Sequence, residues 1–339
     1  MEKVSIIGAG SWGTALAVVL AENGHDSLIW TRRAEQADEI HNQHTNNRYL
    51  PDVKLPDNLN STSELQVAVQ HAKTIILAVP TAAMRETCRH IQELLTDPAI
   101  FVHVSKGIDP DSLQRISEII ADEIDETLRE AIVVLSGPSH AEEVVHRHPT
   151  TVAVASSNMK AAERIQDLFM SNYFRVYTNK DVIGVELGGA LKNVIALAAG
   201  ISDGLGYGDN AKAALITRGL AEITRLGVEM GADQQTFSGL TGLGDLVVTC
   251  TSVHSRNWRA GNLLGKGQSL ERVTEEMGMV IEGVRTTKAS FQLAQQFHVN
   301  MPLTEALYSI LFEKIPPKQA VDQLMTRGKK QEIDTFFGI

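Results

Sequence analysis

The chain has 339 residues, of which 43% are hydrophobic and 21% charged, and this balance excludes a disordered, collagen-like or small disulfide-stapled protein. At a typical domain size of ~150 residues, its length predicts about two domains with buried cores. Its 41 acidic residues outnumber the 31 Lys and Arg residues, giving a net charge of −10. The overall field therefore disfavours nucleic acid and anionic membrane as partners, and an anionic ligand needs a local basic cluster.

Short β-branched runs alternate with amphipathic segments through the first half of the chain. Strands are predicted at residues 4–7, 27–30, 74–79, 100–104, 131–135, 151–155 and 174–177. Between them lie helical patterns, such as residues 112–128, where apolar side chains recur near a period of 3.6. This alternation predicts a parallel sheet covered by helices on both faces, with the direction of the last two strands left open.

The β-rich runs stop after residue 181, and helical patterns follow at residues 183–201, 211–230, 260–264, 284–297 and 303–312. This change of period predicts two domains, an α/β domain over residues 1–181 and an all-helical domain over residues 182–339.

A glycine-rich turn follows the first predicted strand. The run 8–13 reads GAGSWG and leads directly into a predicted helix. Gly8 permits the tight turn, Gly10 lets the backbone approach a pyrophosphate, and Gly13 lets helix and strand pack closely, while the helix N-terminus attracts the phosphates. The motif predicts a dinucleotide on a Rossmann-type, doubly wound sheet. The alternative is a glycine-rich turn without a ligand.

The second predicted strand ends at Thr31-Arg32-Arg33, about where an NAD-selective site offers an acidic residue to the ribose 2′-hydroxyl. Two guanidinium groups can instead bind a 2′-phosphate, so we expect NADPH to be preferred, with NADH also accepted. Solvent-exposed arginines at the start of a loop are the alternative.

Ligands of an open α/β sheet bind beyond the carboxyl ends of the strands. Lys106 stands in the Ser-Lys-Gly turn at such an end, and Gly137 and Ser139 stand at another. We expect the Lys106 ammonium to point into the ligand crevice, although a solvated turn lysine would have the same sequence.

Two charges stand alone in the helical half. Lys192 is the only charged residue between Glu186 and Asp203, and Asp245 is the only one between Ser238 and Val253. A lone buried ammonium needs a partner. The two residues are therefore either a structural ion pair or a proton carrier with the carboxylate that orients it.

Ser255-Arg256-Asn257 follows, and its guanidinium and amide suit phosphate recognition, with a solvated loop arginine as the alternative. The 11 histidines lie mostly in polar stretches, and the His146 and His148 pair has no third ligand in reach by sequence, so we predict no metal.

Several long motifs stand in one characteristic order. They are GAGSWGTALA, the Ser-Lys-Gly turn, SGPSHAEEV, the stretch 189–219, LTGLGDLVVTCTSVHSRN and VIEGVRTTK. Over nearly its whole length the chain thus resembles the bacterial type of the NAD(P)-dependent sn-glycerol-3-phosphate dehydrogenase family.

The resemblance implies roles residue by residue. Lys192 matches the catalytic proton carrier, with Asp245 and Lys106 beside it. Positions that contact glycerol 3-phosphate are matched by Lys106, Gly137, Ser139, Lys192, Asp245, Ser255, Arg256 and Asn257. Positions that contact the dinucleotide are matched by Gly8, Gly10, Ser11, Trp12, Gly13, Arg32, Arg33, Lys106, Ala141, Arg256, Val280 and Glu282. The sequence departs from the family pattern at two positions. Many members carry a basic residue where this chain has Trp258, and Asp209 lowers the positive charge near Asn210. The first departure leaves open whether the phosphate site is less basic.

The resemblance also implies an activity, the interconversion of dihydroxyacetone phosphate and sn-glycerol 3-phosphate with NAD(P)H, which supplies glycerol phosphate for phospholipid synthesis. Two alternatives are another Rossmann-plus-helical dehydrogenase, of the 6-phosphogluconate or ketopantoate type, and a non-enzymatic dinucleotide sensor. With Cys88 and Cys250 as its cysteines, the chain suits a reducing, cytoplasmic compartment. Helical second domains often pair, so a homodimer is one of the oligomeric states that the sequence allows.

Overall fold

The computed structural model describes residues 1–278, 280–329 and 331–332. The chain divides into two units, which we call the sheet unit, Met1–Ser105 with Ile116–Val182, and the helical unit, Lys106–Arg115 with the described chain from Ile183 onwards. The domain limits 1–181 and 182–339 stay a prediction. The division differs from them by assigning Lys106–Arg115 to the helical unit.

The sheet unit is built on one eight-stranded sheet in the order β3-β2-β1-β4-β5-β6-β7-β8. The strands are β1 Lys3–Ile7, β2 Asp26–Trp30, β3 Asn60–Thr62, β4 Thr74–Leu77, β5 Ala99–His103, β6 Arg129–Ser136, β7 Thr150–Ala155 and β8 Phe174–Asn179. Neighbouring strands are parallel except at β6 and β7, which pair antiparallel, while β8 runs parallel to β7. The predicted strands are therefore present, and the sheet adds the short β3, which was not predicted.

The central strands β1, β4 and β5 are buried along almost their whole length. Strands covered on both faces need apolar side chains throughout, which explains their continuous rather than alternating hydrophobic runs. Strand β1 pairs with β2 on one side and β4 on the other. The strand order thus reverses at the carboxyl end of β1, the place where doubly wound sheets bind ligands.

Helices cover both faces of this sheet. They are α1 Ser11–Glu22, α2 Ala34–Asp38, α3 Leu65–His71, α4 Met84–Leu94, α5 Ile116–Glu123, α6 Ala141–Val145 and α7 Met159–Phe169. One core cluster holds α1 and α7 side chains, and a second holds α4 and α5 side chains. The predicted doubly wound α/β fold is confirmed.

The helix predicted over residues 112–128 is wrong at its start. Leu113 has φ +60°, a left-handed conformation that an α-helix does not contain, and Ile108 pairs with Arg115 in a β-bridge. The helix therefore begins at Ile116, and a separate 3₁₀ turn covers Glu126–Leu128.

Helices make up the second unit as predicted. They are α8 Val182–Gly204, α9 Asp209–Glu229, α10 Asp245–Thr251, α11 Arg256–Gly265, α12 Leu270–Met277, α13 Glu282–Gln296, α14 Pro302–Phe312 and α15 Pro317–Met325. Helix α8 is long and apolar enough to cross a membrane by length and composition, with a mean hydropathy of 1.6 over its most apolar window. However, 83% of that window is buried inside the protein, as in the core helix of a folded domain.

Candidate functional site

The glycine turn between β1 and α1 combines a strained backbone with a close helix packing. Gly8 has φ +120°, which favours glycine, and a methyl group at Gly13 would overlap the carbonyl oxygen of Gly8. A methyl group at Gly10 would meet none of the described atoms within 4 Å. Gly8 and Gly13 are thus fixed by the fold, whereas Gly10 leaves open space beside the N-terminus of the 12-residue helix α1.

The first residues of α1 present donors at the same turn. The hydroxyl of Ser11 donates to the carbonyl of Tyr49 at 2.9 Å. Trp12 packs against the sheet-unit core, and its indole Nε1 is buried without a hydrogen-bond partner among the described residues. The backbone cradle, the open face at Gly10 and the unpartnered indole fit a dinucleotide pyrophosphate and its flanking groups.

The arginines after β2 differ in their surroundings. Arg32 is exposed, whereas Arg33 is half-buried, donates from Nη2 to Oε1 of Gln36 at 2.8 Å and lies over the Tyr49 ring, 5.9 Å from its centroid. The strand end therefore presents two cations, one of them held in place.

The remaining predicted sheet-unit residues lie after β6. Gly137 has φ +141°, and a methyl group there would come within 3.0 Å of the Val152 Cα. The Ser139 hydroxyl donates to the carbonyl of Gly137 at 2.8 Å, and Ala141 is the buried first residue of α6. The structure places these residues together in one turn, and their ligand contacts stay a prediction.

A cluster of three charges lies inside the helical unit. Lys192 of α8 pairs with Oδ1 of Asp245, the first residue of α10, and Lys106 pairs with Oδ2 at 2.8 Å. Lys192 and Asp245 are 6% and 1% exposed. The Lys192 ammonium also donates to the Thr249 hydroxyl at 2.8 Å. Asp245 is therefore the ion-pair partner of the buried Lys192 ammonium. Lys106 is the second cation that Asp245 binds.

Burial and the neighbouring charges act in opposite directions in this cluster. Burial lowers the pKa of Lys192 to about 7, with Asp245 opposing the change and Lys106 adding to it. Burial disfavours the charged form of Asp245, but the two ammonium groups outweigh this effect and lower the pKa of its carboxyl group. Burial, together with the second ammonium group, therefore leaves the Lys192 proton held weakly enough to be exchanged near neutral pH.

A chain of amides fixes the backbone of Lys106. Asn193 donates to the Lys106 carbonyl at 3.0 Å, Asn257 donates to Oδ1 of Asn193 at 2.8 Å, and the Gly283 N–H donates to Oδ1 of Asn257 at 2.8 Å. The Asn257 side chain is therefore used in hydrogen bonds within the helical unit, to Asn193 and from the Gly283 N–H. Asn193 and Thr249 were not predicted, although Thr249 stands four residues after Asp245, a spacing that places both on one helix face.

Helix α11 begins at the predicted phosphate group. The Ser255 hydroxyl caps it by accepting from the Trp258 N–H at 3.2 Å, and the Arg256 side chain is exposed at the first helical position. This helix of ten residues thus offers N-terminal amides and one guanidinium to an anion. The Trp258 indole donates instead to Asp203 at 2.6 Å, and Asp203 pairs with Lys212.

The last predicted contacts stand before and at the start of α13. Val280 is 44% exposed, and Glu282 is the first residue of the helix. The predicted dinucleotide residues thus divide between the units, with Lys106, Arg256, Val280 and Glu282 in the helical unit and the others in the sheet unit.

Metal binding and redox chemistry depend on two other sets of side chains. Within the described ranges, the His, Cys, Asp and Glu side chains form no group of three that could hold a metal ion. Cys88 and Cys250 are both buried and free, and burial raises the pKa of each thiol to about 12. Their thiolates are thus scarce at neutral pH.

Two family models match the chain, the N-terminal and C-terminal regions of NAD-dependent glycerol-3-phosphate dehydrogenase, over residues 3–162 and 181–322. Among curated relatives, the glycerol-3-phosphate dehydrogenase [NAD(P)+] of Lysinibacillus sphaericus is 67% identical over 334 residues, covering 98% of this chain and 99% of the relative. The protein of the same name from Bacillus subtilis is 62% identical, covering 98% and 97%.

A solved structure extends the similarity to three dimensions. The crystal structure of glycerol-3-phosphate dehydrogenase from Coxiella burnetii superposes with a TM-score of 0.91 at 40% identity, covering 96% of this chain and 99% of that one.

Proposed function

The chain belongs to the NAD-dependent glycerol-3-phosphate dehydrogenase family, and from that premise we propose that it interconverts dihydroxyacetone phosphate and sn-glycerol 3-phosphate by hydride transfer with a nicotinamide dinucleotide. The reaction needs a group that delivers a proton to the oxygen on carbon 2 as the ketone is reduced. The observation that carries the proposal is the buried Lys192 ammonium held against Asp245 and Thr249. Burial lowers the pKa of this lysine to about 7.

We assign the proton transfer to Lys192. When dihydroxyacetone phosphate is reduced, Nζ of Lys192 gives its proton to the oxygen on carbon 2. A dinucleotide held at the glycine turn would supply the hydride. Asp245 and Thr249 fix the direction of Nζ, because both bind it within the buried cluster. The Lys106 ammonium adds a second positive charge, which stabilises the negative charge on the oxygen before the proton moves.

We place the substrate phosphate at the start of α11. The N-terminal amides and the Arg256 guanidinium would bind it, and Ser255 and Asn257 would keep the helix end in place. Binding energy at the phosphate is remote from the reacting carbon, so it can be used to orient the ketone. Gly137 and Ser139 are proposed as further substrate contacts on the family match alone.

We propose the glycine turn for the dinucleotide, with NADPH preferred to NADH. Gly10 and the α1 N-terminus would receive the pyrophosphate, and Arg32 and Arg33 the 2′-phosphate. Trp12, Ser11, Ala141, Val280 and Glu282 remain proposed contacts. The side-chain hydroxyl of Ser11 is used by Tyr49, so its backbone N–H is the group available to the phosphates.

The activity is tested with purified protein and NADPH. Adding dihydroxyacetone phosphate should consume the near-ultraviolet absorbance of NADPH, whereas ketopantoate should not. Dihydroxyacetone without the phosphate should react much more slowly. A dinucleotide sensor would bind NADPH without turnover, and turnover of ketopantoate, or of 6-phosphogluconate with NADP⁺, in place of the triose phosphate would contradict the proposal.

The cofactor preference has its own test. Two charged hydrogen-bonding groups at ~1.5–3 kcal/mol per bond predict roughly a tenfold or greater preference for NADPH in kcat/KM. Replacing Arg32 and Arg33 together by Ala should bring the ratio close to one, while the exposed Arg175→Ala serves as the control. A wild-type preference for NADH, or a double variant that keeps the NADPH preference, would place the 2′-phosphate elsewhere.

The cellular setting follows from the same proposal. The product, sn-glycerol 3-phosphate, would be formed in the cytoplasm and used for phospholipid synthesis. Buried free thiols are compatible with that reducing compartment. A homodimer is included in the proposal, because helical domains of this kind often pair.

A further inference from the structure

A buried amide lies against the glycine turn, and the proposed function gives it no role. Gln36 of α2 is 6% exposed, and its side chain accepts two hydrogen bonds and donates two. An amide has two donor hydrogens and two principal acceptor positions, so this side chain is fully used. A residue that is buried and saturated in this way has one preferred orientation.

One end of Gln36 fixes the glycine turn. Its Nε2 donates to the Ala9 carbonyl at 2.7 Å and to Oδ1 of Asn46 at 3.0 Å. Asn46 donates to the same Ala9 carbonyl at 3.0 Å and to the Thr14 hydroxyl at 2.8 Å. In a trans peptide the N–H points away from the carbonyl, so two amides that hold the Ala9 oxygen also set the direction of the Gly10 N–H.

The other end of Gln36 holds the cationic strand end. Its Oε1 accepts from the Thr31 hydroxyl at 2.7 Å and from Nη2 of Arg33 at 2.8 Å. The Arg33 guanidinium also lies over the Tyr49 ring, and the Tyr49 carbonyl accepts from Ser11 at the start of α1. An arginine has five donor hydrogens, so the bond to Gln36 leaves others for a phosphate.

We propose that Gln36 is a positioning residue for dinucleotide choice, which joins the Arg33 guanidinium to the glycine turn through one rigid amide. This proposal rests on the proposed function, in which Arg33 receives the 2′-phosphate and the turn receives the pyrophosphate. Without Gln36, Arg33 would lose its buried acceptor and would have to be ordered at the moment of binding, at a cost in side-chain entropy. The selectivity for a 2′-phosphate thus depends on a residue that does not touch it.

The test uses two nucleotides that differ by a single group, adenosine 2′,5′-bisphosphate and 5′-AMP. Their dissociation constants are measured by calorimetry on the full chain, and their ratio isolates the contribution of the 2′-phosphate. Gln36→Met, which preserves length without hydrogen bonds, should reduce this ratio by about fivefold or more, as residues in one hydrogen-bonded network are coupled to that extent. Thr31→Val removes a hydrogen bond to Oε1 of Gln36 and the 3.5 Å bond that the Thr31 hydroxyl accepts from the Arg33 backbone N–H. It leaves the bond between the Arg33 guanidinium and Gln36 in place, so it should change the ratio much less.

A double-variant cycle separates positioning from general loss of structure. In an Arg33→Ala background, Gln36→Met should change the ratio no further, because the group through which it acts is gone. A folded Gln36→Met protein with the wild-type ratio, or equal effects of Gln36→Met with and without Arg33, would overturn the proposal.

A second variant covers the case in which Gln36→Met does not fold. Gln36→Glu keeps acceptor oxygens towards Thr31 and Arg33 but places an oxygen against the Ala9 carbonyl. It should weaken the binding of both nucleotides, but the ratio of their dissociation constants should stay closer to that of the wild type than to that of Arg33→Ala. A ratio equal to that of Arg33→Ala would count against the proposal. The function proposed above is measured separately, as oxidation of NADPH by dihydroxyacetone phosphate in the wild type, so either idea can fail alone.

Discussion

At the scale of single residues, the helical unit places one carboxylate between two ammonium groups. A buried ion pair by itself is weak evidence of function, since such pairs also occur as structural elements. The cluster of Lys106, Asp245 and Lys192 differs from a simple pair because it has an excess positive charge when both lysines are protonated. That excess is most easily relieved at the more buried lysine, Lys192, whose pKa is lowered to about 7.

Lys192→Ala tests the proton transfer. Asp245 keeps Lys106 as a partner, so the variant should fold and bind NADPH, but turnover should fall by ~10²–10⁴ because the general acid is missing. In the wild type, reduction of the ketone needs the ammonium and should slow as the pH rises through about 7, whereas oxidation of the alcohol needs the free amine and should accelerate. Both pH dependences should disappear in the variant.

The controls for this prediction are kinetic and structural. Lys266→Ala removes an exposed ammonium at the end of α11 and should leave the rates unchanged. Fluorescence titration with NADPH checks that the dinucleotide still binds to Lys192→Ala. Near wild-type turnover in Lys192→Ala would remove this lysine from the chemistry.

At the scale of elements, two helices approach through glycines. Gly200 and Gly204 of α8 face Gly261 and Gly265 of α11, and a methyl group at any of the four would overlap a backbone oxygen of the other helix. Helix α11 begins with Arg256, and α8 contains Lys192. The close packing of the two helices therefore fixes the start of α11 relative to the helix that contains Lys192. The spacing of the proposed phosphate and proton sites is therefore set by backbone contact.

Gly261→Ala tests the importance of this contact. Helix propensity alone would make the change stabilising by ~1 kcal/mol. Overpacking against the Leu197 carbonyl should instead dominate and lower the free energy of unfolding by ~1–3 kcal/mol. Urea unfolding measures the difference. Gly328→Ala, outside the helices, where a methyl group meets none of the described atoms within 4 Å, is the control for a methyl group added without overlap. A stabilised Gly261→Ala protein would show that the helices separate freely.

Glu222 links α9 to α14 and predicts a pH-dependent stability. Its buried carboxylate accepts from the N–H groups of Leu303 and Thr304, and burial raises its pKa to about 7 despite these bonds. The folded chain then binds a proton that the unfolded chain, with a pKa near 4.5, has released. Stability from this group is present below pH 4.5 and is lost as the pH rises towards about 7.

Glu222→Gln should remove that pH dependence. The free energy of unfolding of the wild type relative to the variant should decrease between pH 4.5 and about 7, by up to roughly 3 kcal/mol. Glu229→Gln, at the exposed end of the same helix, is the control. A constant difference across this range would assign an ordinary pKa to Glu222.

The sequence predicted the strands and the long helices because their patterns are local. Helix α11 was predicted to begin at residue 260 and begins at Arg256, although the Ser255 cap was visible in the sequence. Helices α10, α12 and α15 were not predicted, since they are short or mostly exposed and have weak apolar patterns. The isolation of Lys192 and Asp245 in the sequence indicated their pairing, whereas the bond from Asn193 to the Lys106 carbonyl depends on contacts that no local pattern encodes.

At the scale of the whole molecule, the helical unit is discontinuous in sequence. Lys106–Arg115 belongs to it, while the residues on both sides belong to the sheet unit. This segment supplies two cations to buried carboxylates, Lys106 to Asp245 and Arg115 to Glu186 at 2.6 Å. Without this segment Asp245 keeps Lys192, whereas Glu186 loses its Arg115 ion pair. Removing one partner of a buried ion pair is destabilising by ~3–5 kcal/mol.

A fragment of residues 182–332 tests this dependence. Expressed alone, it should unfold at a lower urea concentration than the same fragment with residues 106–115 attached through a flexible Gly/Ser linker. Circular dichroism measures both transitions. The control is the same linked fragment with Lys106→Ala and Arg115→Ala in the attached segment. Equal midpoints for the two fragments would show that the segment contributes little to this unit.

The discontinuity also governs the order in which the chain can become functional during synthesis. Lys106 and Asp245 are 139 positions apart, so the first cation leaves the ribosome long before its carboxylate exists. A contact of such long sequence separation forms late, because the entropy of closing the loop must be overcome first. The strands of the sheet unit pair with partners that are closer in sequence, such as Ser5 with Ile75, whereas the ten residues from Lys106 to Arg115 must wait for α8 and α10. A chain terminated before α8 would therefore contain the glycine turn but not the cluster of Lys106, Asp245 and Lys192 that is proposed to transfer the proton.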